Sequence, residues 1–349
     1  MTPRNAILGA LLAALLFGAS TPFAKMLVAG VSPILLAGLL YLGSGAGLWA
    51  IRLLRVPRAP LPQLPAHDWI WFLGAVGLGG VVGPVLLMYG LQETPAASAS
   101  LLLNLEGVFT ALIAWVGFRE NTDRRLLAGM LLIVAGGALL AWPRDGSVHG
   151  TFTGVLFVTG ACLCWGFDNN LTRKVSAADA DFIAGTKGLI AGATNLLLAV
   201  ALGASAPSAA YVALAMSVGF LGYGASLALF VLALRALGSA RTGAYFSTAP
   251  FLGAAIAIMI FHEPVQTGFV LAGLLMAGGV LVHVTERHAH EHTQSVLSHR
   301  HSHVHDLHHE HDHDFPWDGA EPHSHAHHHE PLTHKHAHYP DIHHRHDHE

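Results

Sequence analysis

The chain has 349 residues, of which 52% are hydrophobic and only 11% charged, with a formal net charge of −4. Soluble domains carry about 25% charged residues, and mean hydropathy here is +0.48, so this is not the composition of a water-soluble enzyme or a basic nucleic-acid binder. The polarity is also unevenly spread: the last 64 residues, 286–349, hold 23 of the 27 histidines.

Ten apolar runs follow one another before that point. The first five are Ala6–Val28, Pro33–Leu53, Asp68–Leu91, Ala96–Phe118 and Leu126–Trp142. The second five are Phe152–Leu171, Phe182–Leu202, Tyr211–Leu234, Gly243–Phe261 and Gly268–Val284. About 20 apolar residues cross a hydrocarbon core of about 30 Å as a helix, and a helix pairs its own amides, as lipid requires. Ala6–Val28 lacks a small-residue cleavage pattern and is read as the first span rather than a signal peptide. Trp69, Trp71 and Trp142 fall near span ends, where amphipathic rings favour the interface. Cys162 and Cys164 lie two apart in one span, which suits small packing residues and implies no disulfide framework.

Lys and Arg set the orientation. With the N-terminus inside, Arg4, Arg52, Arg55, Arg58, Arg119, Arg124 and Arg125 all lie inside, as do Arg173, Lys174, Arg235, Arg241 and Arg287. Only Arg144 and Lys25 fall outside. The expectation is a multi-pass protein of the inner (cytoplasmic) membrane with both termini in the cytoplasm.

The body repeats itself. Phe118-Arg119-Glu120 and Phe261-His262-Glu263 each end a long apolar run, and the two glutamates are 143 positions apart. Leu127–Gly129 and Leu271–Gly273 follow as matching Leu-Ala-Gly triplets. Five spans per half is an odd number, so the halves insert with opposite orientation, a plan that places a substrate site near the midplane between them. On these features residues 6–285 resemble the EamA-type branch of the drug/metabolite transporter superfamily. The resemblance implies an all-α integral membrane protein of ten transmembrane helices in two inverted five-helix repeats, 1–143 and 151–285. It also implies a secondary carrier, commonly an exporter of amino acids, metabolites or drugs, and not an enzyme. The acidic residue that small multidrug-resistance relatives carry in their first span is missing between Ala6 and Val28, so their proton-coupling scheme does not transfer.

Ionisable groups at mid-membrane cost about 2.5–3.5 kcal/mol on insertion scales, so each needs a reason. Glu106 sits deep in the fourth span beside Asn104; Asp168 sits in the sixth, followed by Asn169 and Asn170; Lys187 sits in the seventh. One reading is a structural ion pair between Lys187 and either acid. The other is a central cavity lined by these groups, where two acids and a cation hold a zwitterion and an unpaired acid exchanges protons. The resemblance makes Glu106 the first choice, because fourth spans line the cavity in relatives. In the ninth span Tyr245 and Thr248 share a helix face and join the list of candidates for substrate or proton coupling.

The tail, 286–349, is built of His-x-His units and short runs among acids. Its candidate metal ligands are His299, His301, His303, His305, His308, His309, His311 and His313, then His323, His325, His327, His328 and His329. His334, His336, His338, His343, His344, His346 and His348 complete the set. Imidazole with carboxylate suits Zn, Ni, Co and Cu(II). No apolar periodicity offsets the entropy of ordering, so the tail is expected to be disordered without metal, with several exchangeable sites and no cofactor required for transport. Partners are then a small-molecule substrate, the lipid bilayer and divalent metal ions, with no nucleic acid. Three functions compete: a metabolite or amino-acid exporter whose tail senses or buffers metal, a divalent-metal exporter whose tail collects cargo, and a membrane-anchored metal-binding regulator without transport. The spans offer His283 only at an end, and Lys187 repels a bare cation, which favours the first.

Overall fold

In the computed structural model, the described residues are 3–55, 64–118, 124–142, 151–175, 180–284, 289–293, 297–303, 323–329 and 333–337. The body is helical throughout. Its first half comprises α1 (Pro3–Val28), α2 (Pro33–Arg55), α3 (Asp68–Ala75), a π-helical segment (Val76–Val82), α4 (Gly83–Glu93), α5 (Ala96–Leu102), α6 (Leu105–Phe118) and α7 (Arg124–Ala141). The second half comprises α8 (Phe152–Lys174), α9 (Ala180–Ala201), α10 (Ala209–Gly219), a second π-helical segment (Phe220–Ala225), α11 (Ser226–Leu237), α12 (Ser239–Phe246), α13 (Ala249–Phe261) and α14 (Thr267–Val284).

Among the described residues nine helical stretches are long and apolar enough to cross a membrane. The long helix outside that set is α8, the expected sixth span. It is 23 residues long but ends in Asp168-Asn169-Asn170 and Arg173-Lys174, which lower its apolar character. It packs against α4 and α6 in the same bundle.

Two expected spans are not plain α-helices. Residues 68–93 and 209–237 run continuously but widen to π geometry at Val76–Val82 and Phe220–Ala225, at matching places in the two halves. A π turn leaves carbonyls off the regular ladder and occurs often at functional sites. Two others are broken. The fourth run divides at Leu103–Asn104 and the ninth at Ser247–Thr248. Side chains take the freed carbonyls there: Asn104 Nδ2 donates to Leu101 O at 2.8 Å and Thr248 Oγ1 to Tyr245 O at 2.6 Å.

Lipid supplies no hydrophobic drive between helices, so close packing of small residues must do the work. Along α2 and α9, which cross antiparallel, Gly38 meets Gly192 and Leu196 while Gly45 meets Gly188 and Leu189. A Cβ on Gly45 would lie 2.5 Å from the backbone nitrogen of Leu189. Helices α7 and α14 also run antiparallel, with Gly129 near Gly279 and Gly136 near Ala272.

One end of the bundle is tied shut by polar contacts. Lys25, at the end of α1, donates to the carbonyls of Leu91, Gln92 and Thr94, at 3.4 and 3.2 Å for the last two. His262 takes a left-handed conformation (φ 53°) at the end of α13. That turn sends Glu263 across to the start of α5, where its two oxygens accept from Ala96 N at 2.8 Å and Ala97 N at 3.0 Å. A carboxylate at a helix N-terminus satisfies free donors and complements the helix dipole.

The described parts of the tail form four strands: β1 (Ala289–Thr293), β2 (Leu297–His303), β3 (His323–His329) and β4 (Thr333–Ala337). β1 pairs with β4 and β2 with β3, both antiparallel. The His-x-His alternation has the period of two of a strand; isolated two-stranded pairs are marginal in water.

Candidate functional site

A cavity of about 290 Å³ lies inside the helical body, with walls drawn from both halves. From the first half come Phe17, Ser20, Thr21, Tyr41, Ser44, Leu87, Leu103 and Glu106; from the second come Trp165, Asp168, Asn169, Lys187, Tyr223, Ser226, Phe230 and Phe246. Its charged groups among the described residues are Glu106, Asp168 and Lys187, the three that the sequence places within spans.

Each charge is held in a distinct way. Lys187, on α9, forms an ion pair with Asp168 Oδ2 on α8, and the two side chains are only 16% and 8% exposed. Thr172, one turn along α8, donates to the other Asp168 oxygen at 3.0 Å. A buried pair needs such extra hydrogen bonds to offset its desolvation. Glu106 sits in the first turn of α6, just past the break in the fourth run. Asn169 Nδ2 donates to its Oε1 at 3.0 Å and to Thr110 Oγ1 at 3.1 Å. Among the described residues no cation forms an ion pair with Glu106.

The first π segment presses against this site. Gly79 O accepts from Tyr41 OH at 2.8 Å and from Trp165 Nε1 at 3.0 Å, and Gly80 O accepts from Asn195 Nδ2 at 3.3 Å. Side chains from α2, α8 and α9 thus replace the helical partners that π geometry removes. Gly79 also has to be glycine, because a Cβ there would lie 2.0 Å from Asp168 Oδ2 and 2.5 Å from Asp168 Cβ.

A model of the EamA-like transporter family matches residues 4–142 and again 152–285. The chain belongs to the EamA-like transporter family. It is a multi-pass membrane transporter by that membership. An uncharacterized transporter of Methanothermobacter thermautotrophicus is 27% identical over 285 residues, covering 77% of this chain and 83% of that protein. A probable 4-amino-4-deoxy-L-arabinose-phosphoundecaprenol flippase subunit ArnE of Pseudomonas fluorescens is 34% identical over 109 residues, 31% of this chain and 92% of that protein. A probable amino-acid metabolite efflux pump of Salmonella typhimurium is 26% identical over 166 residues, 48% of this chain and 52% of that protein. A solved crystal structure, 20% identical, superposes with a TM-score of 0.60 over 80% of this chain and 95% of its own, which shows a shared fold.

Four of the eight residues singled out for substrate or proton coupling in this EamA-like protein line the cavity: Glu106, Asp168, Asn169 and Lys187. The other four do not. Asn104 bonds its own helix turn and approaches Met276 Sδ at 4.0 Å. Asn170 Nδ2 donates to Thr110 O at 3.0 Å and Gly166 O at 2.8 Å, tying α8 to α6. Thr248 spends its hydroxyl on Tyr245 O, and neither residue is in the cavity wall. The aromatic wall was missed; its signal was only that these rings sit mid-span, away from the interfaces aromatics usually mark.

Among the tail ligands, His299, His301, His303, His323, His325, His327, His328, His329, His334 and His336 lie on strands. The remaining ones, His305, His308, His309, His311, His313, His338, His343, His344, His346 and His348, lie outside the described residues, as does Glu120. Among the described residues no group of three or more His, Cys, Asp or Glu is placed to hold a metal ion.

Proposed function

We propose that this protein is a secondary-active exporter of a small organic solute, a metabolite or amino-acid-related compound, working by alternating access. The observation that carries this reading is the cavity between the two halves, lined by Glu106 and by the Asp168–Lys187 pair. The two halves act as inverted repeats, as the antiparallel packing of α2 on α9 and α7 on α14 supports. The protein sits in the inner membrane with both termini in the cytoplasm. The cavity walls include Ala184 and Lys187, early in α9, which starts from the cytoplasmic side in this topology, while Lys25 and Glu263 make polar contacts at the opposite end. That combination fits a carrier loading from the cytoplasm. Similarity to a probable amino-acid metabolite efflux pump supports movement outward.

The tail binds divalent transition metal and senses or buffers it rather than delivering it as cargo. Among the described residues no imidazole is in the cavity wall, and one of the two carboxylates there is already taken by Lys187. Uptake into inside-out vesicles separates the readings, comparing amino acids, amines and zinc with the full chain and with a chain stopped after Thr285. Saturable uptake of an organic solute that Glu106→Gln abolishes is the expected result. Zinc uptake that survives removal of the tail would sink the organic-solute reading.

A further inference from the structure

The charges in the cavity do not add up to a site for a zwitterion. Among the described residues, Glu106, Asp168 and Lys187 are its charged groups. Lys187 is spent on Asp168, whose second oxygen takes Thr172, so this pair is internally neutral and nearly closed to solvent. What remains is one carboxylate, Glu106, whose bonded neighbour in the cavity is a neutral amide, Asn169. A solute's ammonium would find an opposite charge here. A solute's carboxylate would find no free cation among the described residues of the wall, and burying it unpaired is costly.

The uncharged walls point the same way. Six rings border the cavity: Phe17, Tyr41, Trp165, Tyr223, Phe230 and Phe246. Tyr41 and Trp165 use their polar atoms on Gly79 O, so ring surface is what they offer a guest. Aromatic faces attract cations and pack flat apolar bodies. The cavity volume of about 290 Å³ sits at the low end for ligand pockets, roughly 300–1,000 Å³, and suits a small guest.

We propose that the cavity takes a monovalent organic amine with a compact apolar or aromatic body, its ammonium on Glu106, in preference to the zwitterionic amino acid of the same body. This rests on the transporter reading for its physiological sense but is a statement about binding. Three compounds with one aromatic body test it: 2-phenylethylamine, phenylalanine and 3-phenylpropionate. Each is titrated into the full chain in nanodiscs, and Trp165 in the wall gives a fluorescence readout alongside calorimetry. The amine should bind at least tenfold more tightly than phenylalanine, with 3-phenylpropionate weakest. Glu106→Gln should erase the advantage of the amine. Asp168→Asn, which releases Lys187, should raise phenylalanine affinity relative to the amine by about tenfold, since each 1.4 kcal/mol of new pairing is tenfold.

The wild-type comparison alone decides if either variant fails to fold. Equal or tighter binding of phenylalanine, or no binding of all three, overturns the amine assignment. Vesicle uptake run in parallel keeps the two claims apart. Phenylalanine carried without competition from the amine leaves transport standing and removes this inference. Amine binding with no saturable uptake of any compound removes the transport reading and leaves the site.

Discussion

Gly79 shows how closely the site is fitted at the residue scale. Its missing Cβ is the space that Asp168 occupies, whereas nothing lies within 4 Å of a Cβ built on Gly77 in the same π segment. Gly79→Ala should therefore displace Asp168, cost about 1–3 kcal/mol as overpacking does, and lower transport at least tenfold. Gly77→Ala should leave both the melting temperature and transport near wild type; equal behaviour of the two variants would mean that Gly79 is not fitted to Asp168. The ion pair makes a second prediction. Lys187→Met alone strands a buried carboxylate, at a cost of about 3–5 kcal/mol, while pairs replaced together by apolar groups are often near neutral. Combining Lys187→Met with Asp168→Leu should thus recover much of the thermal stability lost in the single variant. Stability losses that simply add would show that the two groups are independent. The three charges were legible in the sequence because lipid makes any ionisable residue conspicuous. The asparagines were equally conspicuous but less informative. Asn104 turns back on the carbonyl of Leu101 and Asn170 bonds the carbonyls of Gly166 and Thr110, partners that a linear sequence does not name.

The helices themselves explain why the rest of the site was hidden. Hydropathy reads 68–91 and 96–118 as uniform spans, because π turns and breaks change no residue's polarity. What distinguishes them is the partner of each carbonyl: Gly79 O finds Tyr41 and Trp165, which are far away in sequence. The Phe-x-Glu corner is a contrary case. It was visible as a repeat, but its role appears only where Glu263 reaches the amides of Ala96 and Ala97. Hydrogen bonds to a charged group contribute about 1.5–3 kcal/mol, so losing them shifts an opening equilibrium roughly tenfold or more. Glu263→Leu should accordingly open this end more often. A cysteine placed at Thr21 in the cavity wall, with buried Cys162 and Cys164 as the only native thiols, reports on it. A membrane-impermeant thiol reagent added on the Lys25 side should label Thr21→Cys about tenfold faster in the Glu263→Leu background. An unchanged rate would show that these bonds do not hold that end closed.

At the scale of the whole molecule, the transporter body and the tail proposed to bind metal are separate stretches of one chain. The transporter body keeps histidine out of its cavity wall, and the tail strands pair with one another, β1 with β4 and β2 with β3. The pairing sets His290 opposite His336, His292 opposite His334, and His299 opposite His327. The metal ligands proposed for the tail are its imidazoles. Such ligands must be neutral to bind, so metal affinity is tied to protonation, and imidazole ordinarily titrates near pH 6.5. Protonation below that pH competes directly with the metal and turns the segment cationic. The full chain should therefore bind several zinc ions at pH 7.5, release most of them by pH 5.5, and regain them on return. A chain stopped after Thr285 should show none of this pH-dependent binding while keeping the melting temperature of the body in metal-free buffer. Zinc retained by the truncated chain would place the metal in the body and reopen it as cargo. A fall in melting temperature without metal would show that the tail is part of the fold rather than an appendage to it.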